Sequence, residues 1–163
     1  MEKKEIKHPD KADQGFSTGA YSAGVEVDGW LYVSGQGPID FKTSKFVLGT
    51  IEEETHLTLH NIKRICEAAG CSMDDIVKCT VHLSDIRDFD RYNAVYAGYF
   101  TKIKPARTTV QSGLGNGIKV EIDEDPGKKI KFKFSNHYLH NESIKFKSRG
   151  IDHRCSRVRT HGV

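Results

Sequence analysis

With 163 residues, 37% of them hydrophobic, the chain is long enough for one domain with a real core and too short for two ordinary ones. No apolar run approaches the roughly 20 residues of a membrane span, and the polar start Met1-Glu2-Lys3-Lys4-Glu5 lacks the apolar stretch of a secretory signal, so a cytoplasmic protein without membrane association is expected. The net charge of +3 conceals a division: residues 1–123 sum to −3 and residues 124–163 to +6, a mildly acidic domain (1–123) joined to a basic tail (124–163).

Residues 1–18 are polar and read as extended or mobile. Ser22 to Val27 then pairs with Trp30 to Gln36 across Asp28-Gly29, a dipeptide suited to the tight turn of a hairpin. Gly35-Gln36-Gly37-Pro38 ends that strand, and a loop is expected to about Gly49. Next, Thr50 and Glu53 have the Thr-x-x-Glu spacing of a capping box. Leu59, Ile62, Ile65, Cys66 and Ala69 form one helical stripe, and Gly70 stands where a left-handed cap belongs. Val77, Cys79, Val81 and Leu83 alternate with polar residues as in a strand with one buried face. A second helix is expected from about Asp88 to Phe100, then strands over 106–112 and 117–123. The order β-β-α-β-α-β-β implies an α+β or α/β sandwich, with the two helices on one face of a mixed sheet. Its other face would be left for self-association. In the tail, Ile130 to Phe134 alternates like a short edge strand, and periodicity fades beyond Ser135, as in a poorly ordered segment.

The four cysteines show no framework spacing, and Cys66 and Cys79 sit in apolar patterns, which suggests free buried thiols. His56 and His60 have a metal-binding spacing, but their helix face is charged and offers no third ligand, so a solvated face is the expectation. His137, His140, His153 and Cys155 are a remote zinc candidate in the tail. Gly113 to Gly117 joins two strands without opening a helix, so it is no dinucleotide fingerprint, although such a loop can border a ligand. No Ser/His/Asp arrangement stands out. Tyr21-Ser22 fits either a ligand contact or a rim tyrosine with a satisfied hydroxyl.

Arg107 carries the most information. It follows Pro105-Ala106 and opens the β-branched run Thr108-Thr109-Val110, so a permanent cation stands at the mouth of a half-buried strand. Such a cation calls for a carboxylate, from the protein or from a ligand, which its planar fork grips through two parallel hydrogen bonds. Glu121 is expected near the end of a neighbouring strand. The pair fits a site in which one residue anchors a carboxylate and the other handles a proton. It fits equally an ordinary surface ion pair, which on spacing alone is the simpler reading.

Taken together, several segments resemble the Rid family of reactive intermediate deaminases, also called the YjgF-type family. They are Gly19-Ala20-Tyr21-Ser22, Tyr32-Val33-Ser34-Gly35-Gln36-Gly37-Pro38-Ile39-Asp40, the helix ending Glu67-Ala68-Ala69-Gly70, and Asp75-Ile76-Val77-Lys78-Cys79-Thr80-Val81. Asp88-Phe89, Tyr92-Asn93-Ala94-Val95-Tyr96, Pro105-Ala106-Arg107-Thr108-Thr109-Val110 and Lys119-Val120-Glu121-Ile122-Asp123 complete the match over about residues 15–123. The resemblance implies a chorismate-mutase-like fold and a homotrimer with active sites in the clefts between subunits. It further implies hydrolysis, without cofactor or metal, of small 2-imino acids and their enamine tautomers, such as 2-aminoacrylate, to 2-oxo acids and ammonia.

On the same footing Arg107 grips the substrate carboxylate, Glu121 acts on the attacking water, and Tyr21 and Asn93 line the pocket. Backbone amides around Thr109 help hold the substrate. Some relatives are described as translation inhibitors or RNA-cleaving proteins. A non-catalytic or RNA-directed protein, with the basic tail binding nucleic acid, is therefore the alternative. Few aromatics are interleaved with the tail's basic residues, which gives base stacking little support. The sequence departs from the family at Ala20, where proline is usual, and at Thr109, which is cysteine in some members. It departs most after Asp123, where small apolar residues give way to Glu124-Asp125-Pro126 and the basic tail. A genuine extension, a frameshift or a read-through would each produce such an ending.

Overall fold

The computed structural model describes residues 1–11 and 19–125. The expected short strand at 130–134, the histidine and cysteine candidates of the tail and the rest of residues 126–163 lie outside the described residues. Eight strands and two α-helices follow in chain order: β1 (Lys3–Ile6), β2 (Gly24–Val27), β3 (Trp30–Gln36), β4 (Ile39–Asp40), β5 (Lys45–Phe46), α1 (Ile51–Ala68), β6 (Lys78–Leu83), α2 (Phe89–Ala97), β7 (Ala106–Gln111) and β8 (Val120–Asp125).

The main sheet has the order β1-β2-β3-β8-β6-β7, and β4 and β5 form a separate small hairpin. Every neighbouring pair in the main sheet is antiparallel except β6 with β7. This is the mixed α+β architecture the sequence implies. Three details differ from expectation. Residues 3–6 are an edge strand paired with β2, since Ile6 has a place in the core and is 5% exposed. The presumed loop before Gly49 contains the β4–β5 hairpin. The second helix spans Phe89–Ala97 and stops before Phe100.

Local chemistry accounts for the elements. Asp28 and Gly29 both take positive φ (50° and 82°), the backbone of a type I′ hairpin turn. At the start of α1, Thr50 Oγ1 accepts from the Glu53 amide at 3.3 Å while Glu53 Oε2 accepts from the Thr50 amide at 2.8 Å. At its end Gly70 has φ 79°, and the Cys71 amide reaches back to the Cys66 carbonyl at 2.8 Å, as a Schellman cap requires. Leu59, Ile62 and Ile65 of α1 pack with Tyr92 and Tyr96 of α2 and with Leu31, Val33, Cys79, Val81, Leu83, Val120 and Ile122 of the sheet.

Among the described residues the opposite sheet face carries no helix, and Trp30, Tyr32 and Val110 are exposed on it. Cys66 and Cys79 are free and buried, as expected, and Cys71 is partly buried. No helix among the described residues is long and apolar enough to cross a membrane.

One position on the helix-bearing face of β8 breaks the apolar pattern. Glu124 sits on the helix-bearing face of β8, in register with Cys79, and is only 3% exposed. The Cys79 thiol donates to its Oε1 at 3.8 Å, while Oε2 has no hydrogen-bond partner. Burial pushes its carboxyl up to about 8, with Asp123 adding to the shift and the Cys79 contact opposing it. A second buried group, His8, stacks on Phe41 at 3.9 Å. Burial lowers its ring to about 4, against the pull of Asp10 and with Arg64 and His60 adding to the lowering.

These two groups slope stability in opposite directions. A carboxyl with a raised folded pKa stabilises the fold at low pH and loses that contribution as pH rises from about 4.5 to about 8. A histidine with a lowered folded pKa loses stability as pH falls from 6.5 towards about 4. Their effects oppose each other at mildly acidic pH, so the Glu124 slope stands alone between about 6.5 and 8. Thermal melts of the wild type should therefore fall in Tm across that window. Glu124→Gln should abolish the fall and leave the acid-side losses, from His8 and from carboxylates such as Asp85 that their partners hold low.

Candidate functional site

Two groups of polar side chains stand out, and the sheet keeps them apart. The first lines an open cavity of about 380 Å³ on the helix-free side, walled by Tyr21, Ser34, Gly35, Ile39, Phe46, Gly115, Asn116, Ile118 and Glu121. Glu121 alternates with the buried Val120 and Ile122 along β8, so the pleat turns it to this face. Gly35 on β3 makes room for it. A Cβ at Gly35 would lie 3.1 Å from the Glu121 carboxyl carbon and 3.3 Å from its Cγ, inside ordinary packing distance. Tyr21 stands at the rim, 53% exposed, and its phenol is raised by burial and by the charge of Glu121.

Two polar residues of α1 hold these walls from beneath. The buried Glu54 carboxylate accepts from the Gly49 amide at 3.1 Å, the Lys119 amide at 2.6 Å and the Lys119 ammonium at 3.2 Å. It thereby ties the exit of the β4–β5 hairpin to the chain leading into β8. Asn61 Nδ2 donates to the carbonyls of Gly37 and Ile39 at 3.1 and 2.9 Å. The loop before β8 does border the cavity, and Asn116 adopts a left-handed φ of 57° there.

The second group surrounds Arg107 on the helix-bearing face of β7, the edge strand opposite β1. Arg107 pairs in register with Cys79, and its guanidinium carbon lies 4.5, 5.4 and 5.5 Å from the ring centres of Tyr96, Tyr92 and Phe89. Those rings come from one side of α2, where positions 89, 92 and 96 follow helical spacing. Asn93 is half-buried, one helical turn from Phe89 and from Tyr96. Thr109 lies two residues along β7 on the same face as Arg107. The amides of Ala106 and Ser112 donate to Val77 and Leu83 at the two ends of β7. By strand alternation the Arg107 and Thr109 amides therefore point outward along the free edge.

The expected adjacency of Arg107 and Glu121 is thus corrected. β6 lies between β7 and β8, and Arg107 registers with Cys79 whereas Glu121 registers with His82. Cys79 and His82 differ by an odd step, so the two side chains leave opposite faces. No Arg107–Glu121 ion pair forms, and among the described residues no carboxylate pairs with Arg107. His56 and His60 are exposed on α1, and no group of metal-ligating side chains exists among the described residues. The aromatic rings around Arg107 were legible only as the apolar stripe of a helix. Gly35, Asn116 and Phe46 gave no signal of chemistry, because their contribution is shape.

The family model described as endoribonuclease L-PSP matches residues 13–124. A RutC family protein of Saccharolobus solfataricus is 48% identical over 120 residues, covering 73% of this chain and 94% of its own length. The 2-iminobutanoate/2-iminopropanoate deaminase of Mus musculus is 41% identical over 106 residues, covering 64% of this chain and 78% of its own. Among solved structures, an L-PSP protein of Entamoeba histolytica superposes with a TM-score of 0.71 at 36% identity, over 78% of this chain and 100% of that one. TdcF of E. coli with bound serine does so with a TM-score of 0.69 at 32% identity, over 77% and 99%.

The coupling between Tyr21 and Glu121 is open to direct measurement. Glu121→Gln should lower the Tyr21 phenol pKa, followed by NMR of the labelled ring through an alkaline titration. Gly35→Ala should displace Glu121 and lower Tm by a few degrees, on the order of the cost of overpacking a filled site.

Proposed function

The chain belongs to the endoribonuclease L-PSP family, which takes in the YjgF, Rid and RutC proteins; on that footing we propose that it hydrolyses small 2-imino acids to 2-oxo acids and ammonia, at sites shared between copies of the chain. The observation that carries this reading is the state of Arg107. It is a partly buried cation steadied by aromatic rings, with no carboxylate partner among the described residues. A ligand carboxylate is the group that completes it. The relatives named 2-iminobutanoate/2-iminopropanoate deaminase support the choice of substrate.

Arg107 and the outward Thr109 amide hold the carboxylate, with Asn93 beside them. Glu121 and Tyr21 supply the other half of the site. Since one chain turns these halves to opposite sheet faces, the β7 edge of one copy meets the open cavity of another. A homotrimer satisfies this with three equivalent contacts.

Glu121 takes a proton from water as the water oxygen bonds to the carbon of the protonated imine, whose C=N π electrons move onto nitrogen. The resulting carbinolamine then loses ammonia. The carbon–nitrogen bond breaks, nitrogen leaves with the proton returned by Glu121, and the hydroxyl proton is released as the carbonyl forms. Fixing the carboxylate supplies orientation, and general-base help contributes about 10²–10⁴-fold. The chemistry asks for no metal or cofactor.

An RNA-directed role rests on the basic tail and on the family's name, and nothing among the described residues adds to it.

Arg107→Ala and Glu121→Gln should each abolish ammonia release when a dehydratase generates 2-aminoacrylate in the assay. Shared sites give a sharper expectation. Denaturing the two inactive variants together and refolding them at equal ratio should restore about a quarter of wild-type activity, the fraction of sites that draw both intact halves. Full activity of either single variant would sink the mechanism. An inactive mixture that still forms mixed oligomers would sink the sharing.

A further inference from the structure

We infer that Phe89, Tyr92 and Tyr96 form an aromatic box that presets the Arg107 guanidinium as a receptor for a small carboxylate, which makes them positioning residues for substrate. This deepens the reading above and rests on it for the identity of the substrate.

The geometry is specific. Three rings of α2 surround one guanidinium at 4.5–5.5 Å from ring centre to guanidinium carbon, within the range of favourable cation–π contact. Tyr96 is the nearest, and the rings pack on one another, with Tyr92 5.5 Å from Tyr96 and Phe89 6.4 Å from Tyr92. Tyr96 is itself fixed, because its hydroxyl donates to Cys79 Sγ at 3.1 Å on the strand that carries β7. The box therefore hangs between α2 and β6 and aims Arg107 along the sheet edge.

Two further observations point to a ligand. The hydroxyl oxygen of Thr109 is buried on this side of the sheet and has no hydrogen-bond partner, a state that costs free energy until a partner arrives. The rings stabilise the cation through their faces, with the Tyr92 hydroxyl alone among them meeting one of its N–H donors, whereas a protein carboxylate would occupy two of them. An aromatic box thus holds an arginine in place while leaving its hydrogen-bonding fork open. Substituting an aliphatic residue for a ring should loosen the fork. Substituting Phe for Tyr should keep the ring face.

The test is calorimetric titration of the oligomer with 2-oxobutanoate, with its uncharged methyl ester as control. Tyr96→Leu should weaken 2-oxobutanoate binding about five- to tenfold, leave the ester unaffected, and raise KM for the imine by the same factor with kcat within about twofold. Tyr96→Phe should recover most of the lost affinity. Phe89→Leu, at a less buried position, should cost about two- to threefold and decides the matter if Tyr96→Leu fails to fold. A folded Tyr96→Leu or Phe89→Leu with wild-type affinity overturns the inference, as does a Tyr96→Phe as weak as Tyr96→Leu. A wild type that binds 2-oxobutanoate without turning over imines overturns the proposed reaction alone, since the binding arms still judge the box. A wild type that binds no carboxylate overturns both.

Discussion

Strand β6 is the constraint on which the rest depends. It lies between β7 and β8 and pairs with both, parallel on one side and antiparallel on the other. Because side chains alternate along every strand, the register it imposes decides which face each functional residue leaves. Cys79, Val81 and Leu83 are fully buried beneath the helices, so the residues aligned with them, Arg107 and Thr109, go to the helix side. His82 goes to the bare side, and Glu121 goes with it. No rotamer change brings Arg107 and Glu121 together, since a sheet stands between them.

The two halves are stiffened by different means. The cavity around Glu121 is held by hydrogen bonds from the buried Glu54 and Asn61, whose partners are backbone groups of the surrounding loops. Those bonds fix the walls without filling the space. Arg107 is held by ring faces, which resist displacement yet leave most of its donors unspent. A carboxylate partner would have held it more tightly and made it useless to a ligand. Glu124 lies on the same face as Arg107, on the far side of Cys79. Its raised pKa keeps that carboxyl neutral under mildly acidic conditions, so it brings no fixed negative charge into the core beside the cation.

Much of the fold was legible in the sequence, because its signals are local. Asp28-Gly29 specified its hairpin, Thr50 and Glu53 their capping box, Gly70 its helix stop, and the alternation from Val77 to Leu83 its buried face. The strand order was not legible. Arg107 and Glu121 look adjacent along the chain because one short loop joins their strands, and only long-range pairing shows that β6 intervenes. The first residues read as polar and loose since a four-residue edge strand has too few side chains to display a period, and a single inward Ile6 fixes it. The resemblance singled out Arg107, Glu121, Tyr21, Asn93 and Thr109, but their distribution between two faces emerges only in three dimensions. The rings of the box carried no chemical signal of their own, for an aromatic stripe at helical spacing serves a core equally well.

The two edges of the sheet differ, and growth of any assembly is governed by that difference. At β1 the outermost strand exposes Lys3, Lys4 and Glu5, charges that discourage another strand from adding there. At β7 the edge exposes Thr108 and Val110 and carries outward amides. A contact that sets the β7 edge of one copy against the bare face of the next is head-to-tail, and head-to-tail contacts either close into a ring or run on as a fibre. The lysines of β1 remove the competing route of strand addition. They act as a stop codon for the sheet, discouraging its extension at that edge.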